Sequence, residues 1–190
     1  MKKIFSISLL VITMFNVLFI FNVPVYAQSL KESIVTIRDC KFLSKYIEAN
    51  PIYFFIDNKH DATAPYIRDA AVLWTEKAKI PKWIEVTDKE KANVLFLTVN
   101  SPNIDFTGKV EFENESPGGK NKGTIQLNLY RLGNQENSMR TIIHEMGHAL
   151  GLAHNDDDPT SVMVSNRQLM KSYIPNITDV RCVRERYRGL

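Results

Sequence analysis

The stretch His144-Glu145-Met146-Gly147-His148-Ala149-Leu150-Gly151-Leu152-Ala153-His154 contains three imidazoles and a carboxylate. On an α-helix, residues four apart lie on one face, so His144 and His148 can direct their ring nitrogens at one metal ion. Glu145 follows the first histidine on the same turn, where its carboxylate can hold a water molecule and take its proton. The spacing predicts a helix that carries two metal ligands and a general base.

Gly151 and His154 extend this pattern beyond the helix. A glycine adopts positive φ without steric cost, so Gly151 can end the helix, turn the chain back and bring in His154 as a third ligand. Three protein ligands leave one tetrahedral position open for water, which is typical of catalytic zinc sites. The alternative is a chance motif in a surface helix. Three of the four histidines in the chain lie in this stretch, which favours the metal site.

Met163 follows His154 in the loop-like run Asp158-Pro159-Thr160-Ser161-Val162-Met163, which could pass beneath a metal site. Alone, a methionine usually fills a core. Together with the motif, Met163 makes the chain similar to the metzincin zinc endopeptidases, which combine a long zinc-binding motif with a methionine turn. The chain resembles the matrixin branch in particular, because residues 52–187 follow the element order of a matrixin catalytic domain.

The resemblance implies both a fold and an activity. The fold would be the α+β zincin or metzincin fold, a twisted mixed five-stranded sheet with an antiparallel edge strand, two long helices and a C-terminal helix. The activity would be endopeptidase hydrolysis by a zinc-activated water, with Glu145 as general base. One catalytic zinc would be bound by His144, His148 and His154.

Gly151 and Met163 would support the site structurally. Ser165 lies where some metzincins have a tyrosine ligand, so we expect no tyrosine at the metal.

Residues 101–107 are a short connection without histidine, which argues against the second, structural zinc of vertebrate matrixins. The run 155–158 is acidic and could bind calcium, but it lacks the alternating ligands of a known calcium loop, and a solvated turn is the default.

The N-terminus has the pattern of a secretory signal peptide. A short basic start precedes an apolar run over residues 4–21, and small or branched residues favour cleavage between Ala27 and Gln28. We therefore predict a secreted, extracellular protein with a signal peptide at 1–27, an N-terminal segment at 28–50 and a catalytic domain at 51–190. The segment 28–50 is either part of the mature protein or a short pro-region. An uncleaved membrane anchor is the alternative to export.

Length and charge limit the other function classes. The chain has 24 basic and 21 acidic residues, and two of the basic ones lie in the signal peptide, so the exported chain is nearly neutral. This balance does not favour nucleic-acid binding, and the basic cluster at 181–188 is more typical of a solvated helix face. The length after cleavage suits one domain. We expect a monomer without stable membrane association.

Cys40 and Cys182 remain in the exported chain. An oxidising compartment permits a disulfide between them. The resemblance is compatible with this pairing, since in matrixin-like folds the segment before the first strand can pack near the C-terminal helix. A latent form with a zinc-blocking thiolate is the second alternative, although Arg38-Asp39-Cys40 lacks the proline and glycine of the matrixin latency motif. Two free thiols are the third.

Strands are predicted where short apolar or alternating runs lie between turn residues. The run 92–99 is apolar enough to be central in the sheet. The run 109–113 alternates apolar and charged residues, which favours an edge strand with one solvated face. The complete set of predicted strands is 52–57, 83–86, 92–99, 109–113 and 124–130.

The edge strand at 109–113 is where the resemblance implies substrate binding. In that family, the corresponding strand holds an extended peptide by backbone hydrogen bonds. We therefore expect a protein or peptide substrate as partner. An ordinary protected edge would have the same sequence pattern.

Two long helices are predicted. Pro65 suits the first turn of a helix whose apolar face recurs until Pro81. The second helix carries the histidine motif, and Asn137 or Ser138 can cap its N-terminus. Apolar residues along this helix would bury it under the sheet.

The last helix is predicted over 178–187, with Asn176 or Thr178 as its N-cap. Asp179 lies where matrixins have a helix aspartate, and it could equally serve only to stabilise the helix N-terminus.

His60 is predicted to be a solvated histidine rather than a ligand.

Two other functions remain compatible with the sequence. One is a metal-loaded binding protein of the same fold without turnover, although Glu145 would then be unnecessary. The other is a narrow-specificity metallohydrolase that acts on one host or cell-wall target. Residues 164–175 would form the wall of the substrate pocket that receives the residue after the cut. Their sequence does not indicate which residue this pocket prefers.

Overall fold

The computed structural model describes residues 34–37, 39–58, 62–113 and 122–190. The predicted signal peptide, His60 and most of the glycine-rich stretch 116–123 lie outside the described residues. In the described ranges, the longest helices have 15 residues each, and no helix there combines the length and apolar character needed to cross a bilayer.

In the described residues, seven strands form two sheets. The strands β1 (Val35–Ile37) and β2 (Cys40–Phe42) make an antiparallel hairpin. The remaining five form a mixed sheet in the order β4-β3-β5-β7-β6, in which only the β6–β7 pair is antiparallel. These strands are β3 (Ile52–Ile56), β4 (Trp83–Glu85), β5 (Val94–Val99), β6 (Gly108–Phe112) and β7 (Gly123–Asn128). The central position of β5 and the edge position of β6 are confirmed.

Four α-helices accompany the sheet in the part of the chain that the structure describes. They are α1 (Ala64–Ala78), the short α2 (Leu129–Leu132), α3 (Gln135–Ala149) and α4 (Ile177–Arg186). Pro65 lies in the first turn of α1, as predicted. The indole Nε1 of the fully buried Trp74 donates to the carbonyl oxygen of Ile143 at 3.1 Å, which joins α1 to α3. The α+β architecture with its antiparallel edge pair is confirmed.

The strand predicted over 124–130 ends earlier, at Asn128. The buried Asn128 side chain accepts a hydrogen bond from the backbone N–H of Ser101 and donates to the carbonyl oxygens of Ser101 and Ile104. These bonds tie the strand end to the neighbouring connection, and Leu129 begins α2. The alternating pattern continued by chance into this helical turn.

The predicted cap of α3 is also wrong. Neither Asn137 nor Ser138 is the cap, because the Asn134 side chain accepts from the backbone N–H of Asn137 and the helix begins at Gln135. The Ser138 hydroxyl instead donates to the carbonyl oxygen of Asn134. For α4, the Asn176 alternative is confirmed, and Thr178 lies inside the helix.

The segment before β3 packs against α3 and α4. Of the three alternatives for the cysteines, the structure has the disulfide, which joins Cys40 on β2 to Cys182 on α4. The fully buried Ile47 donates its backbone N–H to the carbonyl oxygen of Ala149 at the end of α3. Its own carbonyl oxygen accepts from the buried hydroxyl of Tyr187. Residues of the predicted 28–50 segment are therefore part of the core.

Candidate active site

The three histidines of the motif converge in the structure. The helix α3 presents His144 and His148 one turn apart, and the candidate ligand atoms of these two residues and His154 all lie within 4.8 Å of one another. The Nε2 atom of His154 is 3.3 Å from Nε2 of His144 and 3.2 Å from Nε2 of His148. This is the only such group among the described residues that could hold a metal ion.

Backbone carbonyls orient the two helical imidazoles. The Nδ1 atom of His144 lies 2.8 Å from the carbonyl oxygen of Val162, and that of His148 lies 2.8 Å from the carbonyl oxygen of Leu152. A carbonyl oxygen only accepts, so each Nδ1 carries the proton and donates. Each Nε2 lone pair is then available for a metal. The donor set therefore fits zinc, which is bound by neutral imidazoles.

Burial keeps these imidazoles in the neutral form. His144 and His148 are 1% and 4% exposed. Burial lowers the pKa of His148 to about 4. Burial and then the neighbouring His148 lower the pKa of His144 well below its usual value. His154 is more exposed than the other two, and its partial loss of hydration and then the neighbouring His148 lower its pKa to about 4. No proton therefore competes with the metal at neutral pH.

Gly151 makes the turn that brings in His154. Its φ is +89°, a left-handed conformation that glycine adopts without strain. A Cβ added there would lie 2.9 Å from Cβ of Tyr46, so the close packing also requires glycine. Downstream, the backbone N–H of Ala153 donates to the carbonyl oxygen of Lys41 on β2, which fixes the residue before the third histidine.

Met163 packs beneath the active-site helix. It is 1% exposed, and a Cβ added at Gly147 would collide with its sulfur atom. Gly147, which the sequence analysis left without a role, therefore lets the methionine approach α3. Its only sequence signal was its place between the two helical histidines.

Asp179 connects the methionine turn to the last helix. It is 3% exposed, and its carboxylate accepts from the Ser161 hydroxyl at 2.6 Å and from the Val162 backbone N–H at 3.0 Å. It also accepts from the backbone N–H of Asn176 and so completes a capping box. Burial raises the pKa of Asp179, and the hydrogen bond from Ser161 acts in the opposite direction. The residue thus both caps α4 and fixes the turn whose carbonyl oxygen orients His144.

We predict that Asp179→Ala destabilises the fold by about 3 kcal/mol and weakens metal binding, because it leaves several buried donors without an acceptor. Urea unfolding and zinc titration measure the two effects. Asp69→Ala is the control, because it removes an exposed carboxylate from α1. Equal stability and zinc affinity in Asp179→Ala and wild type would contradict this role.

Glu145 lies beside the histidines and is ion-paired. Its side chain is 3% exposed, and its Oε1 atom lies 2.6 Å from Nη1 of Arg167. Burial raises the pKa of Glu145, while the positive charge of Arg167 acts in the opposite direction. On its other side, a Cβ added at Gly108 would lie 2.8 Å from Cγ of Glu145. The edge strand β6 therefore begins directly against the predicted base.

Arg167, like Gly147, was not singled out by the sequence analysis, although it lies in the run 164–175 that was predicted to contact the residue after the cut. It belongs to an irregular segment and contacts a residue 22 positions earlier in the chain. Neither a periodic pattern nor a motif marks such a contact.

The acidic run 155–158 is engaged in local bonds. Asp158 accepts from Thr160 and Asn176. Asp156 accepts from the backbone N–H of Ser165, and Asp157 pairs with Lys41. The calcium alternative to a solvated turn therefore finds no support in the described residues.

Comparison with known proteins agrees with this geometry. Residues 54–188 match the family model described as matrixin. No curated protein matches the chain. The match spans well over half of the chain and includes the histidine motif, Glu145 and the methionine turn. The chain therefore belongs to the matrixin family of metallopeptidases.

Proposed function

We propose that this chain is a secreted zinc endopeptidase whose metal is bound by His144, His148 and His154. The observation that carries the proposal is the convergence of three neutral imidazoles next to the buried carboxylate of Glu145. The donor set fits zinc, and three protein ligands leave one position open. A site that served only for ligation would not need a carboxylate in this place.

Glu145 is proposed as the general base. When bound, zinc supplies an acidified water and a positive charge for the developing oxyanion. Glu145 accepts the proton of the attacking water and then delivers it to the leaving amine. Its raised pKa suits both steps, because a base with a pKa nearer neutrality can also act as an acid.

The edge strand β6 is proposed to bind the substrate. It pairs only with β7 within the described sheet, so its outer edge can add an extended peptide strand. Gly108, its first residue, contacts Glu145 closely. A peptide along β6 would therefore pass directly over the base.

Export is proposed from the signal-peptide pattern at 1–27. The disulfide between Cys40 and Cys182 supports it, because such bonds persist in oxidising compartments. The chain is further proposed to act as a monomer.

A peptide library with internal quenchers tests the proposal. We expect the purified chain to cut internal bonds, identified by mass spectrometry of both fragments, and a zinc chelator to stop the cleavage. Products trimmed only from a terminus, or cleavage that persists without metal, would contradict it.

A further inference from the structure

Arg167 contacts the predicted base from the segment between the methionine turn and α4. Its Nη1 atom lies 2.6 Å from Oε1 of Glu145, and its side chain is 19% exposed. The side chain is therefore mostly buried but keeps some exposure to solvent. A charged side chain that contacts the proposed general base and keeps some solvent exposure can also contact a bound substrate.

Several contacts fix the backbone of Arg167. Arg140 on α3 donates from Nη1 to the carbonyl oxygen of Arg167 at 3.1 Å. Arg140 is itself held by Glu136 one turn earlier on the same helix. The buried Met170 donates its backbone N–H to the same carbonyl oxygen. The helix α3 thus fixes the backbone position of Arg167 through Arg140.

The contact with Glu145 indicates which part of a substrate Arg167 would meet. In the proposed reaction, Glu145 delivers a proton to the leaving amine, which is the nitrogen of the first residue after the cut. A group that touches Glu145 therefore lies next to that residue.

The chemistry of the guanidinium indicates what it would bind there. A guanidinium has five N–H donors in a planar fork that matches a carboxylate. In the described part of the chain, its ion pair with Glu145 runs through Nη1. The remaining donors can bind a second carboxylate, and charge-assisted hydrogen bonds of this kind are the strong ones.

We propose that Arg167 makes the enzyme select substrates that carry a carboxylate on the first residue after the cut. This inference rests on the proposed peptidase function. The carboxylate is either the side chain of Asp or Glu, or the terminal carboxylate of a peptide cut at its last bond. Both present the same anion to the guanidinium.

Matched peptides test the selection. The peptides differ only in the residue after the cut, Glu or Gln, with amidated ends, and a third peptide ends there with Gln and a free carboxylate. For wild type we expect kcat/KM to be about tenfold or more higher for a carboxylate-bearing peptide than for the amidated Gln peptide. The Glu peptide and the free-acid peptide distinguish the two sources.

Variants assign the selection to Arg167. We expect Arg167→Gln to bring the ratio of kcat/KM between the carboxylate-bearing and the amidated Gln peptides close to one. Arg167→Lys should give an intermediate ratio, because lysine keeps the positive charge but loses the planar arrangement of donors. Arg68→Gln is the matched control. It removes an arginine that pairs with Glu85 on β4, at the sheet edge opposite β6, and it should keep the wild-type ratio.

A binding measurement separates this inference from the proposed function. Zinc-loaded Glu145→Gln is expected to cleave about 10²–10⁴ times more slowly than wild type, so calorimetry can measure its affinity for the same three peptides. We expect about tenfold tighter binding of a carboxylate-bearing peptide, and loss of that difference when Arg167→Gln is added. Absence of cleavage by wild type would contradict the proposed peptidase activity. The ratio of the affinities for the carboxylate-bearing and the amidated Gln peptides would still decide the role of Arg167. Equal affinities would overturn the inference.

Discussion

Glu145→Gln is expected to lower kcat/KM for peptide hydrolysis by about 10²–10⁴ while one zinc per chain is retained. General-base catalysis contributes about this factor, and glutamine cannot accept the proton of the attacking water. The substitution preserves the shape of a side chain that is only 3% exposed. Initial rates and metal analysis on the same sample measure the two effects.

The control for this variant is Glu76→Gln. Glu76 is exposed on α1, so the change removes one carboxylate without touching the site and should leave the rate unchanged. A Glu145→Gln variant that retains more than about a tenth of the wild-type rate would exclude Glu145 as the general base.

Replacement of both Cys40 and Cys182 by alanine is expected to lower the free energy of unfolding by about 5 kcal/mol. The bond closes a loop with a sequence separation of 142 residues, and long loops lose the most chain entropy when they are cross-linked. The bond also joins β2 to α4, and β2 fixes the residue before His154. We therefore expect weaker zinc binding as well. Urea unfolding and zinc titration measure both effects.

Reduction of the wild-type disulfide provides the comparison. Wild type in a reducing agent should unfold at nearly the same urea concentration as the double variant. A shift of less than about 1 kcal/mol in both samples would show that the cross-link contributes little to stability.

The sequence predicted the convergence of the three histidines because their arrangement is local. His144 and His148 are one helical turn apart, and Gly151 signals the turn that follows. Helix periodicity and glycine conformation are properties of a few neighbouring residues, so no tertiary information was needed. The central position of β5 was predictable for a similar reason, because a strand buried on both faces is apolar along its length.

Element ends were harder to predict because several residues could serve equally well. Asn134, Asn137 and Ser138 are all good N-caps, and only the backbone geometry selects Asn134. At the end of β7, Leu129 continues the alternating pattern, while the buried side chain of Asn128 ends the strand through bonds to a distant connection.

Long-range polar contacts were not predictable. The pair of Arg167 with Glu145 and the bond from Asp179 to the methionine turn join segments that only the folded chain brings together. The resemblance to matrixins marked the position of Asp179 and left its role open. No pattern marked Arg167, because irregular segments have no periodicity.

The most direct test of the central claim is a zinc titration of the metal-free chain with peptide hydrolysis as the readout. The account predicts no hydrolysis without metal, a linear rise with added zinc, and a plateau at one zinc per chain. Full hydrolysis by the metal-free chain, or none at any zinc concentration, would contradict it.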